Sequence, residues 1–214
     1  MTRLHQGQPI LTAGMPLNEA RAALIMIHGR GATADSILSL TNEFDVYGFA
    51  YLAPQAVNNT WYPFRFLEPI ERNEPWLSSA LQIVDDLVAH GIAAGIPAEH
   101  IMLLGFSQGA CLTLEYAARH AQRYGGVIGL SGGLIGPDQT PRNYDGSFGG
   151  TPIFIGCSDV DFHIPLDRVH EAARVLSQLD GDVTTRIYPN LDHTINQDEI
   201  DHVDELMLAI PRAP

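Results

Sequence analysis

Basic residues are scarce in this 214-residue chain: Lys and Arg together number 12 against 25 Asp and Glu, a formal charge of −13. A field of that sign repels phosphate backbones and anionic membranes, and no Lys/Arg cluster offers a local exception. It argues against nucleic acid as a partner, against stable membrane association, and against strongly anionic substrates. Cysteine is nearly absent as well. Cys111 and Cys157 both lie in apolar stretches and are too few to imply a disulfide framework. Nowhere do 18 apolar residues run together, and residues 1–18 are polar and broken by Gly7, Pro9, Gly14 and Pro16, so they cannot serve as the apolar centre of a leader. A soluble, cytoplasmic protein is the expectation. Missing too are an H-E-x-x-H motif and any close His/Cys cluster, so neither a metal nor another cofactor is expected.

What the chain does have is apolar material, 45% of its residues, enough for one full core and too little for two comfortable domains; residues 1–214 are expected to form a single domain. Short apolar runs at 23–27, 50–53, 101–104, 126–130, 152–155 and 184–188 alternate with helical patterns at 76–88, 110–120, 166–179 and 198–210. The middle runs are continuous rather than alternating, as a strand covered on both faces requires. The pattern predicts a three-layer α/β fold around a mostly parallel sheet. Residues 58–74 and 131–150 lack periodicity and read as long loops, and loops at the C-terminal ends of parallel strands are where sites are built.

The informative stretch is Ile101-Met102-Leu103-Leu104-Gly105-Phe106-Ser107-Gln108-Gly109-Ala110-Cys111. A G-x-S-x-G pattern that follows an apolar strand and opens a helix is a nucleophile elbow of the α/β-hydrolase kind: the glycines permit a tight turn that lifts the serine hydroxyl clear of the sheet. Ser107 is therefore the candidate nucleophile. It needs a base, and the base needs an acid, in the order serine, acid, histidine. Among downstream histidines, His120, His170 and His202 fall in helical patterns, whereas His193 sits in a loop between the last strand and the last helix and can reach over the sheet. His163 lies in the loop that should supply the acid, and is taken instead as pocket-lining. Chemistry alone leaves Asp159 and Asp161 both open as the acid; Asp192, adjacent to His193, has poor geometry for the role.

These residues resemble the phospholipase/carboxylesterase family of small serine hydrolases, which includes acyl-protein thioesterases and bacterial carboxylesterases. The likeness runs from His28-Gly29 to the histidine loop, and Gly105-Phe106-Ser107-Gln108-Gly109 is its most specific motif. The resemblance implies an α/β-hydrolase fold and selects Asp161, in a segment shaped like G-x-x-D-x-D-x-x-x-P, as the acid, with Asp159 structural. It also implies an oxyanion hole made by the backbone N–H groups of Arg30 and Gln108, with His28 bracing the turn. Two departures stand out: Asp192 precedes His193 where glycine is common, and Arg30 replaces a small or apolar residue, which suggests a polar or anionic feature near the mouth or a salt bridge to a surface carboxylate.

The aromatic run Trp61-Tyr62-Pro63-Phe64-Arg65-Phe66 predicts an aromatic wall, with Trp61, Tyr62, Phe64 and His163 lining the substrate pocket. With no amphipathic surface helix or basic patch, a small soluble ester is favoured over a lipidated protein. Long-chain acyl thioester or lysophospholipid hydrolysis is the alternative, and a non-catalytic small-molecule binder on a hydrolase scaffold is the rival of another class. A homodimer is compatible with the resemblance.

Overall fold

The structure, a computed structural model, describes residues 3–211. Its strands are β1 (Ile10–Gly14), β2 (Ala22–Ile27), β3 (Phe49–Pro54), β4 (Ile101–Phe106), β5 (Gly126–Leu130), β6 (Pro152–Ser158) and β7 (Asp182–Tyr188). The helices are α1 (Ala34–Leu38), α2 (Trp76–Ala93), α3 (Gln108–Arg119), α4 (Leu166–Gln178) and α5 (Gln197–Ala209). The strands form one sheet in the order β1-β3-β2-β4-β5-β6-β7, parallel throughout except where β1 runs against β3.

Period-two alternation splits the core into two layers. Ala23, Ile25 and Ile27 of β2 share one layer with Leu77 and Val84 of α2, Leu112 of α3 and Val169 of α4, while Ala22, Leu24 and Met26 share the other with Ala34 and Ile37 of α1 and Val203 and Met207 of α5. Each central strand is buried on both sides, which is why the sequence shows unbroken apolar runs there. β1 and α1 escape the sequence reading. β1 is a half-exposed edge strand of alternating burial inside a polar segment, and α1 has only five residues, held by a Thr33–Ser36 capping box.

The segment 131–150 acquires order from buried ions instead of periodicity. Glu115, on α3, accepts the Ile135 N–H at 3.0 Å and the Tyr144 hydroxyl at 3.0 Å. Arg142 donates to the Ile135 carbonyl at 2.6 Å, and Arg168 donates to the Leu134 carbonyl at 2.8 Å and to Glu171 at 2.7 Å.

Glu199 stands apart from these paired ions. As the third residue of α5 it closes a capping box with Asn196, each side chain accepting the other's backbone N–H, but its Oε1 is buried without a partner against Gly156. Burial pushes its carboxyl up from 4.5 to about 7. The folded chain therefore holds a proton that the unfolded chain gives up between about pH 4.5 and 7, so stability falls as pH rises through that window, by on the order of 3 kcal/mol in all. Glu199→Gln keeps the capping acceptor and removes the charge. Urea unfolding at pH 5 and pH 8 should show the variant gaining about 1–3 kcal/mol on the parent between the two pH values; an equal change in both proteins would refute the assignment.

Candidate active site

Ser107 sits between β4 and α3 with φ 56° and ψ −117°, a left-handed conformation unfavourable for serine. The turn persists because its flanks are crowded. A Cβ on Gly105 would overlap the Gly109 carbonyl, and one on Gly109 would overlap the Ile27 carbonyl at the end of β2. Gly29 in the loop after β2 also lies near, since a Cβ there would come 3.3 Å from Ser107 Cβ. The elbow and the His28-Gly29-Arg30 turn are thus pressed against each other at the C-terminal edge of the sheet.

His193 arrives on the loop between β7 and α5. Its Nε2 lies 2.8 Å from Ser107 Oγ and its Nδ1 lies 2.6 Å from Asp161 Oδ2. Asp161 comes from the loop after β6, and its other oxygen accepts the N–H groups of His163 at 2.8 Å and Ile164 at 3.1 Å. Burial alone would raise the Asp161 carboxyl, but the hydrogen bond from His193 and these two N–H groups outweigh it and hold its pKa below the ordinary carboxylate range. A carboxylate fixed in this way accepts the Nδ1 proton and leaves Nε2 free to accept from the serine hydroxyl. Asp159 does something different. Its Oδ1 accepts the Asn190 N–H at 2.8 Å, and so ties the loop after β6 to the histidine loop. Asp192 is exposed, and its carbonyl accepts the Thr194 N–H.

Among the described residues the backbone N–H groups of Arg30 and Gln108 donate to no protein acceptor. His28 is fully buried and braces the turn, donating from Nδ1 to the Gly29 carbonyl at 2.7 Å and accepting the Ala56 N–H on Nε2 at 3.1 Å.

A cavity of about 250 Å³ opens beside Ser107, walled by Tyr62, Phe66, Cys111 and Ile164 with Arg65 and His163 toward the mouth. Burial pushes the Cys111 thiol up to about 12, so it is an inert wall residue. Two expected wall residues lie elsewhere. Trp61 is fully buried behind the site, packed on the His5 and His28 rings with its indole N–H donating to the His28 carbonyl at 2.8 Å. Phe64 is 42% exposed and stacks under Arg72 on the outer side of the loop. Residues 61–66 pass through bends and a turn instead of an extended strand, so successive rings leave the loop in different directions and the run does not present every ring to one cavity. Of the two readings of Arg30, the salt bridge is not formed among the described residues: the guanidinium is taken up by loop carbonyls, and the residue lines the cavity.

The N-terminal segment contributes a support that the sequence did not announce. His5, fully buried, donates from Nε2 to the Trp61 carbonyl at 3.0 Å and accepts the Val57 N–H on Nδ1, and its own N–H reaches Ser79 Oγ at 3.1 Å. No motif marks it; a lone histidine in a polar segment carries no pattern.

Among the described residues no helix is long and apolar enough to cross a membrane. A solved phospholipase/carboxylesterase from Dyadobacter fermentans DSM 18053 is 46% identical, with a TM-score of 0.90, covering 94% of this chain and 96% of that one. The acyl-protein thioesterase 1 of Aspergillus fumigatus is 30% identical over 144 residues, 65% of this chain and 59% of the relative; that of Gibberella zeae is 28% identical over 131 residues, 57% and 53%. The chain thus spans little more than half the length of these curated relatives. The solved acyl-protein thioesterase 2 of Zea mays shares the fold at a TM-score of 0.71 and 16% identity, over 95% of this chain and 99% of that one. The family profile described as Phospholipase/Carboxylesterase matches residues 13–209, and the chain belongs to the phospholipase/carboxylesterase family.

Proposed function

We propose that this protein is a serine carboxylesterase that hydrolyses small soluble carboxylic esters by acyl transfer. The observation that carries the reading is the continuous hydrogen-bonded chain Ser107–His193–Asp161, seated on a strained elbow at the wall of a cavity. His193 Nε2 takes the Ser107 proton as Oγ attacks the ester carbonyl. The carbonyl oxygen, now negative, is held by the N–H groups of Arg30 and Gln108, and Asp161 stabilises the imidazolium. His193 returns the proton to the leaving alcohol. Water, deprotonated by the same nitrogen, then attacks the acyl-enzyme and releases the acid. No step calls for a cofactor.

Size supports a small substrate: the cavity of about 250 Å³ lies below the roughly 300–1,000 Å³ common for sites that enclose drug-sized ligands. A second reading, an acyl thioesterase for longer chains, draws on the names of the fungal relatives and on Phe162 and Val160, 77% and 58% exposed on the loop that carries Asp161. A long chain could run out over such a rim. Hydrolysis rates for p-nitrophenyl esters of two to sixteen carbons, beside matched thioesters, separate the two. The expected optimum is at short acyl chains with kcat/KM falling at least tenfold by the longest; an optimum at sixteen carbons would transfer the assignment to the second reading.

A further inference from the structure

The Arg30 side chain leaves the mouth of the cavity and runs along the loop at residues 59–64. Its Nη1 donates to the Pro63 carbonyl at 2.9 Å, and its Nη2 donates to the Tyr62 carbonyl at 2.9 Å and the Phe64 carbonyl at 2.6 Å. Three consecutive carbonyls are thus gathered by one planar fork, a geometry that a guanidinium can meet and an ammonium cannot. Gln108 grips the same loop from the other side. Its Nε2 donates to the Tyr62 carbonyl at 2.8 Å, and its Oε1 accepts the Trp61 N–H at 2.9 Å and the Thr60 hydroxyl at 3.2 Å. The Gly31 N–H adds a bond to the Asn59 carbonyl at 2.7 Å. Both side-chain grips converge on one acceptor, the Tyr62 carbonyl, and the Tyr62 ring is part of the cavity wall.

Arg30 and Gln108 are also the residues whose backbone N–H groups face the oxyanion in the mechanism above. We propose that the Arg30 guanidinium is a positioning group that, with the Gln108 amide, clamps the Tyr62 loop to the oxyanion turn, so that the cavity wall and the oxyanion hole move as one body. The inference rests on the esterase reading. Its physical content is that Arg30 serves through its shape: three of its guanidinium donations are already taken up by backbone oxygen of the Tyr62 loop. Oxyanion donors are effective only when held within a few tenths of an ångström of the tetrahedral oxygen. A loosened turn therefore costs the chemical step more than it costs ground-state binding.

The test is steady-state kinetics on a short p-nitrophenyl ester with Arg30→Met, Arg30→Lys, Gln108→Leu and the double variant, alongside the rate of fluorophosphonate labelling. Arg72→Met is the control, since Arg72 contacts the same loop from outside, over the Phe64 ring, and pairs with Glu68. Arg30→Met should lower kcat at least tenfold with KM changed less than threefold, and labelling should slow in parallel. Arg30→Lys should recover less than a third of the loss. The double variant should be less impaired than the product of the singles, because both act through the Tyr62 carbonyl, and Arg72→Met should match the parent. An unchanged kcat in Arg30→Met, full recovery by lysine, a loss carried in KM alone, or multiplicative singles would each overturn the clamp. A parent protein that neither labels nor turns over any ester would instead overturn the esterase reading itself. Circular dichroism and melting of each variant identify unfolding, and should the Met variant fail to fold, the lysine variant and the Gln108 variant decide the outcome by the same kinetic split.

Discussion

Ser107→Ala is expected to lower ester turnover by about 10⁴- to 10⁶-fold, the range seen when a member of a serine hydrolase triad is removed, and to abolish fluorophosphonate labelling. The fold should barely notice. Ser107 Oγ has one side-chain partner, His193 Nε2, so its removal costs about 1 kcal/mol of hydrogen bonding. The strained φ of 56° is the same burden for alanine as for serine. A melting curve close to that of the parent together with lost turnover would place the effect in the chemistry. A variant that keeps more than a tenth of the activity, or that still takes up the label, would remove Ser107 from the nucleophile's role and with it the esterase reading.

The largest effect on stability is expected two residues further on. A Cβ on Gly109 would overlap the Ile27 carbonyl and come 2.7 Å from the His28 carbonyl, both backbone atoms at the buried end of β2. Neither can yield without moving a central strand, so Gly109→Ala should cost about 3 kcal/mol or more, in the range of severe overpacking. Gly31→Ala is the comparison. Gly31 has φ +77° but nothing within 4 Å of a Cβ, so its cost is the left-handed backbone alone, about 1–2 kcal/mol. Urea unfolding of both variants measures the difference. Equal midpoints would mean that the close approach of α3 to β2 carries no energetic weight, and the crowding account of the elbow would fail.

Much of this was legible before any coordinate. The six apolar runs are six of the seven strands, and the four long helices lie within two residues of their expected starts, α2 alone running five residues further than expected. Burial on both sheet faces forces that signal into the sequence. β1 was not legible because an edge strand needs only half its side chains apolar, and five residues of alternation inside a polar segment do not stand out. Ser107 was legible because its turn needs glycine on both flanks. His193 was legible because the other downstream loop histidine, His163, shares the loop that supplies the acid; Asp161 was separated from Asp159 only by resemblance. In space the two aspartates part company at once: Asp161 faces the His193 ring, and Asp159 holds the Asn190 backbone.

By itself, then, the sequence determined the layered fold, the elbow and the residue types of a Ser-His-Asp chain. Each of these rests on a local requirement, such as a periodicity or a turn that tolerates only glycine, and a local requirement leaves its mark on neighbouring residues. Tertiary structure alone decided which aromatic rings wall the cavity, that Trp61 braces His28 from behind, that His5 ties the loop at Val57 and Trp61 to Ser79 of α2, and where the Arg30 guanidinium goes. Those outcomes depend on carbonyls and ring faces brought together from distant segments. A backbone carbonyl is the same atom in every residue, so no sequence pattern records which arginine will find it.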